Sequence, residues 1–598
     1  MQRVPFHAAA IAAGVSTLLV ACGGSSNDGG TPPPPPPAVL SVTGKAATGA
    51  ALAGGAISAK CATGTGTAVA SADGTYTVTI TSGVLPCVLE ATGTDSHGNA
   101  VTLHSVATTT TAQITPLTEL LVAEVTGAAP SAVMNADLST LSATFSATNV
   151  QAAQAKVVAL LSAAGIETST LGSDSLLSGT LTIGSATGYD HVLDLLGDSL
   201  AASGTALSTL TSTVVAQSTG GTGGGTASAL APELLLRPAS PNCGSLRSGN
   251  YWVVTSASVD GDAAQLMRVD APNGTITQVS DGSSSTLQAN GTCRFTAIDP
   301  QLGATADIVV SPAGVIVART LDSGNYKLAI GVPQQTHALS EAVGDWDTLF
   351  SDTSDTGDGW VFGYGRTTVA SGTGGTTLQL QQGCQYAIGA EAPVCVANSP
   401  DSPMPLRPLT QANDGAFVEH SANDTDDGGP WQDKFFVYQA GNGEWFMVSS
   451  NIQTPNSSGD GSIGFATRHR TLSLPTAGAT SNNWNVYMNT ATQLSTNGVD
   501  ANSHVIDSVD AASGTFVRTT GPTGAATHHE TLAINNPIAG FQFRDGATGV
   551  ATSDGGTTNV RRSIFLKVPG VGISVLYQPV QTGITANSRL VVSVEQPS

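Results

Sequence analysis

DIVVSPAGVIVA (Asp307 to Ala318) and FFVYQAGNGEWFMV (Phe435 to Val448) follow one plan: an apolar strand, a turn containing glycine, and a second apolar strand. Turn residues between β-branched and aromatic runs are the local mark of an antiparallel hairpin. The likeness continues downstream at an offset of 133 residues. Ile330-Gly331-Val332-Pro333-Gln334-Gln335-Thr336-His337-Ala338-Leu339 aligns with Ile463-Gly464-Phe465-Ala466-Thr467-Arg468-His469-Arg470-Thr471-Leu472, and Trp346 and Trp484 follow. Aromatic residues suit a pleated, half-buried surface, and 25 of the 29 lie from Cys243 onward, all six tryptophans among them. The chain from Cys243 therefore reads as an antiparallel β module with an imperfect internal repeat, residues 243–410 and then 411–598. These would be two small barrels or sandwiches, or the halves of one closed structure.

Toward the N-terminus the hydrophobic period changes. Leu117, Leu120, Leu121 and Glu124 suggest a helix after Pro116. Asn149 is placed as the cap of a second, with Val150, Ala153, Val157, Leu160, Leu161 and Ala164 at helical spacing and Gly165 as its stop. Two more are expected from Tyr189 to Ala202 and from Ala206 to Gln217. Residues 115–217 thus form a small helical segment, and residues 218–242, opening on STGGTGGGTASA, a Gly-rich linker.

Residues 39–114 are short strands separated by glycine turns. In Ser71-Ala72-Asp73-Gly74-Thr75-Tyr76-Thr77-Val78 the Asp-Gly pair makes a tight turn, and Tyr76, Val78 and Ile80 alternate inward. With Val42-Thr43-Gly44 and Ala51-Leu52-Ala53-Gly54-Gly55-Ala56-Ile57, this segment resembles the carboxypeptidase regulatory-like domain. That resemblance implies a transthyretin-like β-sandwich and no particular function. The family's glycine-tyrosine strand is replaced by Leu85-Pro86-Cys87-Val88-Leu89-Glu90-Ala91, which leaves the pairing at that edge open. The whole is mainly β and multidomain.

Residues 1–21 have the form of an export signal: Arg3, then the apolar run Ala8 to Val20, too short to cross a bilayer comfortably. It ends in Leu19-Val20-Ala21-Cys22, which resembles the lipobox of bacterial lipoproteins. The resemblance implies cleavage after Ala21 and acylation of Cys22, several chains together holding firmly where one holds marginally. Gly23 in place of Asp resembles the sorting signal for the outer membrane. Residues 22–38 are a flexible, Pro-rich tether. The general plan resembles uncharacterised Gram-negative lipoproteins, a likeness that brings no activity with it.

A net charge of -22 repels phosphate backbones, which argues against a nucleic-acid partner. With Cys22 lipidated, six cysteines remain for an oxidising compartment. Sequence neighbourhood favours Cys61 with Cys87, Cys243 with Cys293 and Cys384 with Cys395 among the fifteen pairings that six cysteines allow.

Several motifs suggest chemistry. Gly197-Asp198-Ser199-Leu200 spells the nucleophile block of the GDSL hydrolases, which needs Ser on a turn after a strand and a later Asp-x-x-His. The residues before it read as helix and no Asp-x-x-His follows, so a catalytic Ser199 is disfavoured. Two acidic loops alternate oxygens with glycine as calcium requires. The first carries Asp352, Asp355 and Asp358 before Trp360, and the second Asp424, Asp426 and Asp427 before Trp431. Neither has the twelfth-position Glu of an EF-hand, so solvated turns are the simpler reading and calcium the only cofactor considered. The tryptophans could stack sugar rings but more simply fill a core short of other large residues. Arg468-His469-Arg470 and His528-His529 read as solvated strand faces.

Together these readings describe an envelope lipoprotein with a structural or binding role, its membrane contact made through Cys22 and its partner an envelope protein or carbohydrate. A lipid-anchored hydrolase with its site in the C-terminal β module is the alternative, and the reading leans away from an enzyme. Metabolic labelling with an alkyne palmitate is expected to mark the wild type and not Cys22→Ala. An unlabelled wild type would remove the anchor from the argument.

Overall fold

The computed structural model describes residues 38–96, 98–220, 228–256, 264–322, 325–353, 360–387, 389–421, 431–452, 462–489, 499–585 and 588–597. The export signal, Cys22, the tether and most of the glycine run in the linker lie outside them. From Val39 to Ser598 the chain is one compact unit.

Its first part is a β-sandwich. Val39–Lys45 pairs with Thr75–Thr81, facing a four-stranded sheet in the order Thr65–Val69, Ala56–Cys61, Cys87–Thr94, Ala100–Ala107. Tyr76, Val78 and Ile80 are buried between exposed threonines, as their alternation requires. Gly74 takes φ 79°, and the Asp73 carboxylate accepts from Ser71 Oγ (2.6 Å) and Thr75 Oγ1 (2.8 Å), which locks the turn. The stretch that departs from the family pattern becomes an interior strand, with Cys87 opposite Cys61 and disulfide-bonded to it.

Thr115 caps the first helix, Pro116–Thr126, and Gly127 ends it in the left-handed conformation. The second, Ala147–Ala163, is capped by Ser146, whose hydroxyl accepts from the Asn149 amide at 3.3 Å. This corrects the placement of the cap at Asn149, whose side chain instead donates to the carbonyls of Ala143 and Thr144. Two further helices run over Tyr189–Ser203 and Leu207–Ser218.

The β region is three modules, not two. Gly249–Pro333 forms a closed eight-stranded barrel, Gly344–Arg468 a nine-stranded sheet, and Thr480–Glu595 a second closed eight-stranded barrel. The division expected between residues 410 and 411 falls inside the sheet, where Gly375–Tyr386 pairs with Arg407–Gln411. The repeated segments have another meaning. Ile330 lies on the closing strand of the first barrel, and Trp346 on the opening strand of the sheet. Ile463 and Trp484 stand in the same relation to the sheet and the second barrel. The repeat marks module junctions.

Inside the first barrel, Leu287, Phe295, Ala297 and Ile308 are buried, while their strand neighbours Gln288, Arg294 and Thr296 are not. Its disulfide joins Cys243, just before the barrel, to Cys293 at a strand turn. The third disulfide staples two strands of the nine-stranded sheet through Cys384 and Cys395.

The modules meet at the turn of the second quoted hairpin. Tyr438 is fully buried; its hydroxyl donates to the Ala313 carbonyl of the first barrel (2.6 Å) and accepts from the Ala231 amide (3.4 Å). Gln335 Nε2 donates to Glu233 Oε1 (2.6 Å), and its Oε1 accepts from the Gln439 amide (2.6 Å). Removing the Tyr438 hydroxyl strands two buried backbone groups, each worth about 1–3 kcal/mol when left unsatisfied. Tyr438→Phe is therefore expected to lower the unfolding midpoint followed by tryptophan fluorescence, which reports on the β modules alone. An unchanged midpoint would show that the junction does not hold them together.

Candidate functional site

Eight strands of the C-terminal barrel enclose a cavity of about 340 Å³. Side-chain alternation assigns the two faces. On Thr480–Asn489, Trp484, Val486 and Met488 join the large core shared with the other modules, whereas Asn483, Asn485 and Tyr487 line the cavity. On Ser563–Val568, Ile564, Leu566 and Val568 point to that core, and Phe565 and Lys567 to the cavity. On Arg589–Glu595 the division is Leu590, Val592 and Val594 against Arg589, Val591 and Ser593. The outer wall stacks on the nine-stranded sheet through Tyr577 against Phe362, with ring centroids 4.0 Å apart. The interior thus differs from that of the first barrel: charged and amide side chains share it with an apolar cluster.

Five of the chain's 21 basic residues, Arg518, Arg544, Arg561, Lys567 and Arg589, line this space together with Glu530 and Glu595. Glu530 is buried and gripped from two sides. Arg518 Nε donates at 2.6 Å to one carboxylate oxygen, and Arg544 Nη1 at 2.5 Å to the other. Burial alone would raise this carboxyl, but the two guanidiniums outweigh it and hold it well below the ordinary range. Arg544 also donates to the Arg561 carbonyl (2.9 Å) and to Ser563 Oγ (2.6 Å). Arg589 donates to Gln578 Oε1, and its guanidinium lies 4.7 Å from the centre of the Tyr487 ring. Burial, followed by Arg561, pushes Arg589 down to about 10.

Lys567 is different. Among the described residues its ammonium has no hydrogen-bond or ion-pair partner, and burial followed by the Arg518 charge pushes it down to about 8. His504 shares a hydrogen bond of 2.7 Å with Thr520 Oγ1. Burial and Arg518 hold His504 near 3, so the ring is neutral at pH 7 and far too weak a base to activate that hydroxyl. The lining carries hydrogen-bond donors in excess.

The expected site residues lie elsewhere. Ser199 sits in the third turn of Tyr189–Ser203, within the helix and not at a strand end. Asp355, Asp358, Asp424, Asp426 and Asp427 lie outside the described residues, as does the side chain of Asp352. Trp346 and Trp484 are buried; Trp252 packs on Phe436 at 4.9 Å and Trp445 edge-on to Trp346 at 6.2 Å. None of these four lines the cavity, and the side chains of Trp360 and Trp431 lie outside the described residues. The basic run is no solvated face. Arg468 lies 4.1 Å over the Trp346 ring and donates to the Val343 carbonyl (2.9 Å). His469 meets Asp347 at 2.7 Å, and Arg470 pairs with Glu444 at 2.5 Å. The segment crosses from the sheet to the next module, so these side chains clamp the joint. Of the histidine pair, His528 lines the cavity and His529 is exposed beside Asp507. No helix among the described residues is long and apolar enough to cross a membrane.

No family model matches the chain, and no curated protein matches its sequence. Among the solved structures that show weak likeness are three proteins. A DUF3598-family protein of unknown function from Nostoc punctiforme is 15% identical over 42% of this chain and 96% of its own, with a TM-score of 0.15. Transferrin-binding protein B of Haemophilus parasuis is 10% identical over 58% and 75%, with a TM-score of 0.18. The Neisseria meningitidis protein of that name is 10% identical over 56% and 65%, at 0.15. At scores this low none of them bears on function.

The unpaired lysine generates a prediction of its own. Its folded value of about 8 lies below the ordinary 10.5, so between those values the unfolded chain binds more protons and stability rises with pH. Lys567→Met is expected to be more stable than the wild type by about 1–3 kcal/mol at pH 7, the gain shrinking as pH climbs from about 8 to 10. Denaturant unfolding at the two pH values measures this. A variant less stable at pH 7 would mean that the ammonium is compensated.

Proposed function

We propose that this chain is a lipid-anchored protein of the bacterial cell envelope, held at the outer membrane through Cys22, whose C-terminal barrel is a chamber for a small ligand. One observation carries the reading: this barrel keeps charged and amide side chains inside and its apolar face outside. A barrel serving only as a structural block would be filled as the first one is, because burying polar groups without full compensation is unfavourable. An eight-stranded barrel has room inside for one small ligand, and 340 Å³ falls at the small end of ligand pockets. The sandwich, the helices, the first barrel and the sheet then act as the mount. Their role is to cover the chamber's apolar wall, and the Pro-rich tether lifts the whole body from the membrane surface.

The test is native mass spectrometry of the full chain extracted from its own envelope. The wild type is expected to carry one added mass of a few hundred daltons, released on unfolding. Asn485→Trp and Ser593→Phe, which fill the chamber from two neighbouring strands, are expected to carry none. Identical bare masses for all three proteins would overturn the chamber.

A further inference from the structure

Taking the chamber as given, we propose that its ligand is a small anion bearing two or three negative charges on carboxylate or phosphate groups, with Lys567 as a direct partner. The charge balance of the lining comes first. Five cations face two carboxylates, and both oxygens of Glu530 are already taken by Arg518 and Arg544. Glu595 is exposed at the end of its strand. Of the other cations, Arg589 donates to an amide and lies against a ring face, with the Asp500 carboxylate nearby, and Lys567 has no hydrogen-bond or ion-pair partner among the described residues and only the more distant attraction of Glu595. An uncompensated cation inside a protein is costly to hold, and a bound anion is the group that relieves it.

Donor chemistry points the same way. An ammonium offers three N–H donors and a guanidinium five, with no acceptor on either, so the free valences of this lining are matched by anionic oxygens. Asn483, Asn485 and Asn502 add amides that can take donors or acceptors on the rest of the ligand. Phe565, Leu576 and Val591 give part of the wall an apolar surface, which suits a short carbon skeleton. Polyamines and metal ions would be repelled by the excess positive charge. A polymeric anion cannot be enclosed in 340 Å³, and outside the chamber it meets a chain of net charge -22. That negative exterior does not bar a small anion, because surface charge is screened within about 8 Å at physiological salt.

The inference rests on the chamber reading and is tested separately from it. Isothermal titration calorimetry on the full chain at low ionic strength would use four probes: citrate, inorganic phosphate, glucose and spermidine. Citrate or phosphate is expected to saturate a single site, with affinity falling as NaCl is raised, and the two arms separate carboxylate from phosphate chemistry. Lys567→Met is expected to weaken that binding about tenfold or more, the loss of one charged hydrogen-bond partner. Lys567→Arg should retain most of it. Because Lys567→Met should unfold no more easily than the wild type, lost binding cannot be put down to misfolding. Equal anion affinity in Lys567→Met and wild type would overturn the proposal. So would preference for glucose or spermidine, which leaves the chamber intact with a different ligand. Silence from all four probes would also overturn it, and the native mass would then judge the chamber alone.

Discussion

Tyr438 is fully buried, and its hydroxyl gives one hydrogen bond to Ala313 and takes one from Ala231. Those three residues belong to the nine-stranded sheet, the first barrel and the segment that follows the helices. Around them the backbones approach closely. A Cβ on Gly441 would lie 2.0 Å from the Leu230 carbonyl, so any larger residue would push the hairpin turn off its neighbour. Polar groups buried at such a junction are satisfied in one arrangement only, and this fixes how the sheet sits against the barrel. The seam left between them is apolar, and the C-terminal barrel lies against it.

That dependence explains how the last barrel can keep charged groups inside. A free barrel in water must present polar residues outward, and its interior is then free to be apolar. Here Tyr577, Ile564, Leu566, Val592 and Val594 face protein in place of solvent. The inner positions are released from supplying hydrophobic stability, and one end of the lumen still retains an apolar plug of Phe516, Leu532, Phe565, Leu576 and Val591. The charges occupy what remains. The Arg518–Glu530–Arg544 cluster contributes little net stability by itself, since desolvation offsets most of the attraction in buried pairs. Its effect is to hold two guanidiniums rigidly around one carboxylate.

Much of the fold was legible in the sequence. Hairpin turns, the Asp73-Gly74 turn, four helices and the three cysteine pairs each depend on residues close in the chain, where local chemistry decides. Module boundaries were not legible, because whether Gly375–Tyr386 pairs with Arg407–Gln411 is settled by tertiary closure. The candidate site was missed for a related reason. Alternation in Asn483-Trp484-Asn485-Val486-Tyr487-Met488 separates two faces but does not say which of them meets water. Read from sequence alone, Lys567 and Arg589 carry no local mark that sets them apart from surface charges. The available signal was that basic residues of one parity recur on several strands after Arg518, a pattern better suited to a lumen than to the surface of a strongly acidic protein.

Arg589–Glu595 pairs with both Thr480–Asn489 and Ile573–Gln578, and so closes the last barrel. Every strand it needs precedes it in the chain. The first barrel and the sheet can pair their strands with their apolar seam still uncovered, and the wall that covers it stays an open sheet until these seven residues pair. Closure of the barrel therefore waits on this one strand. A chain arrested a few residues short would present a long apolar surface and an unpaired strand edge at once. Such a product is prone to aggregation, so the completeness of this one strand acts as a checkpoint on the whole molecule.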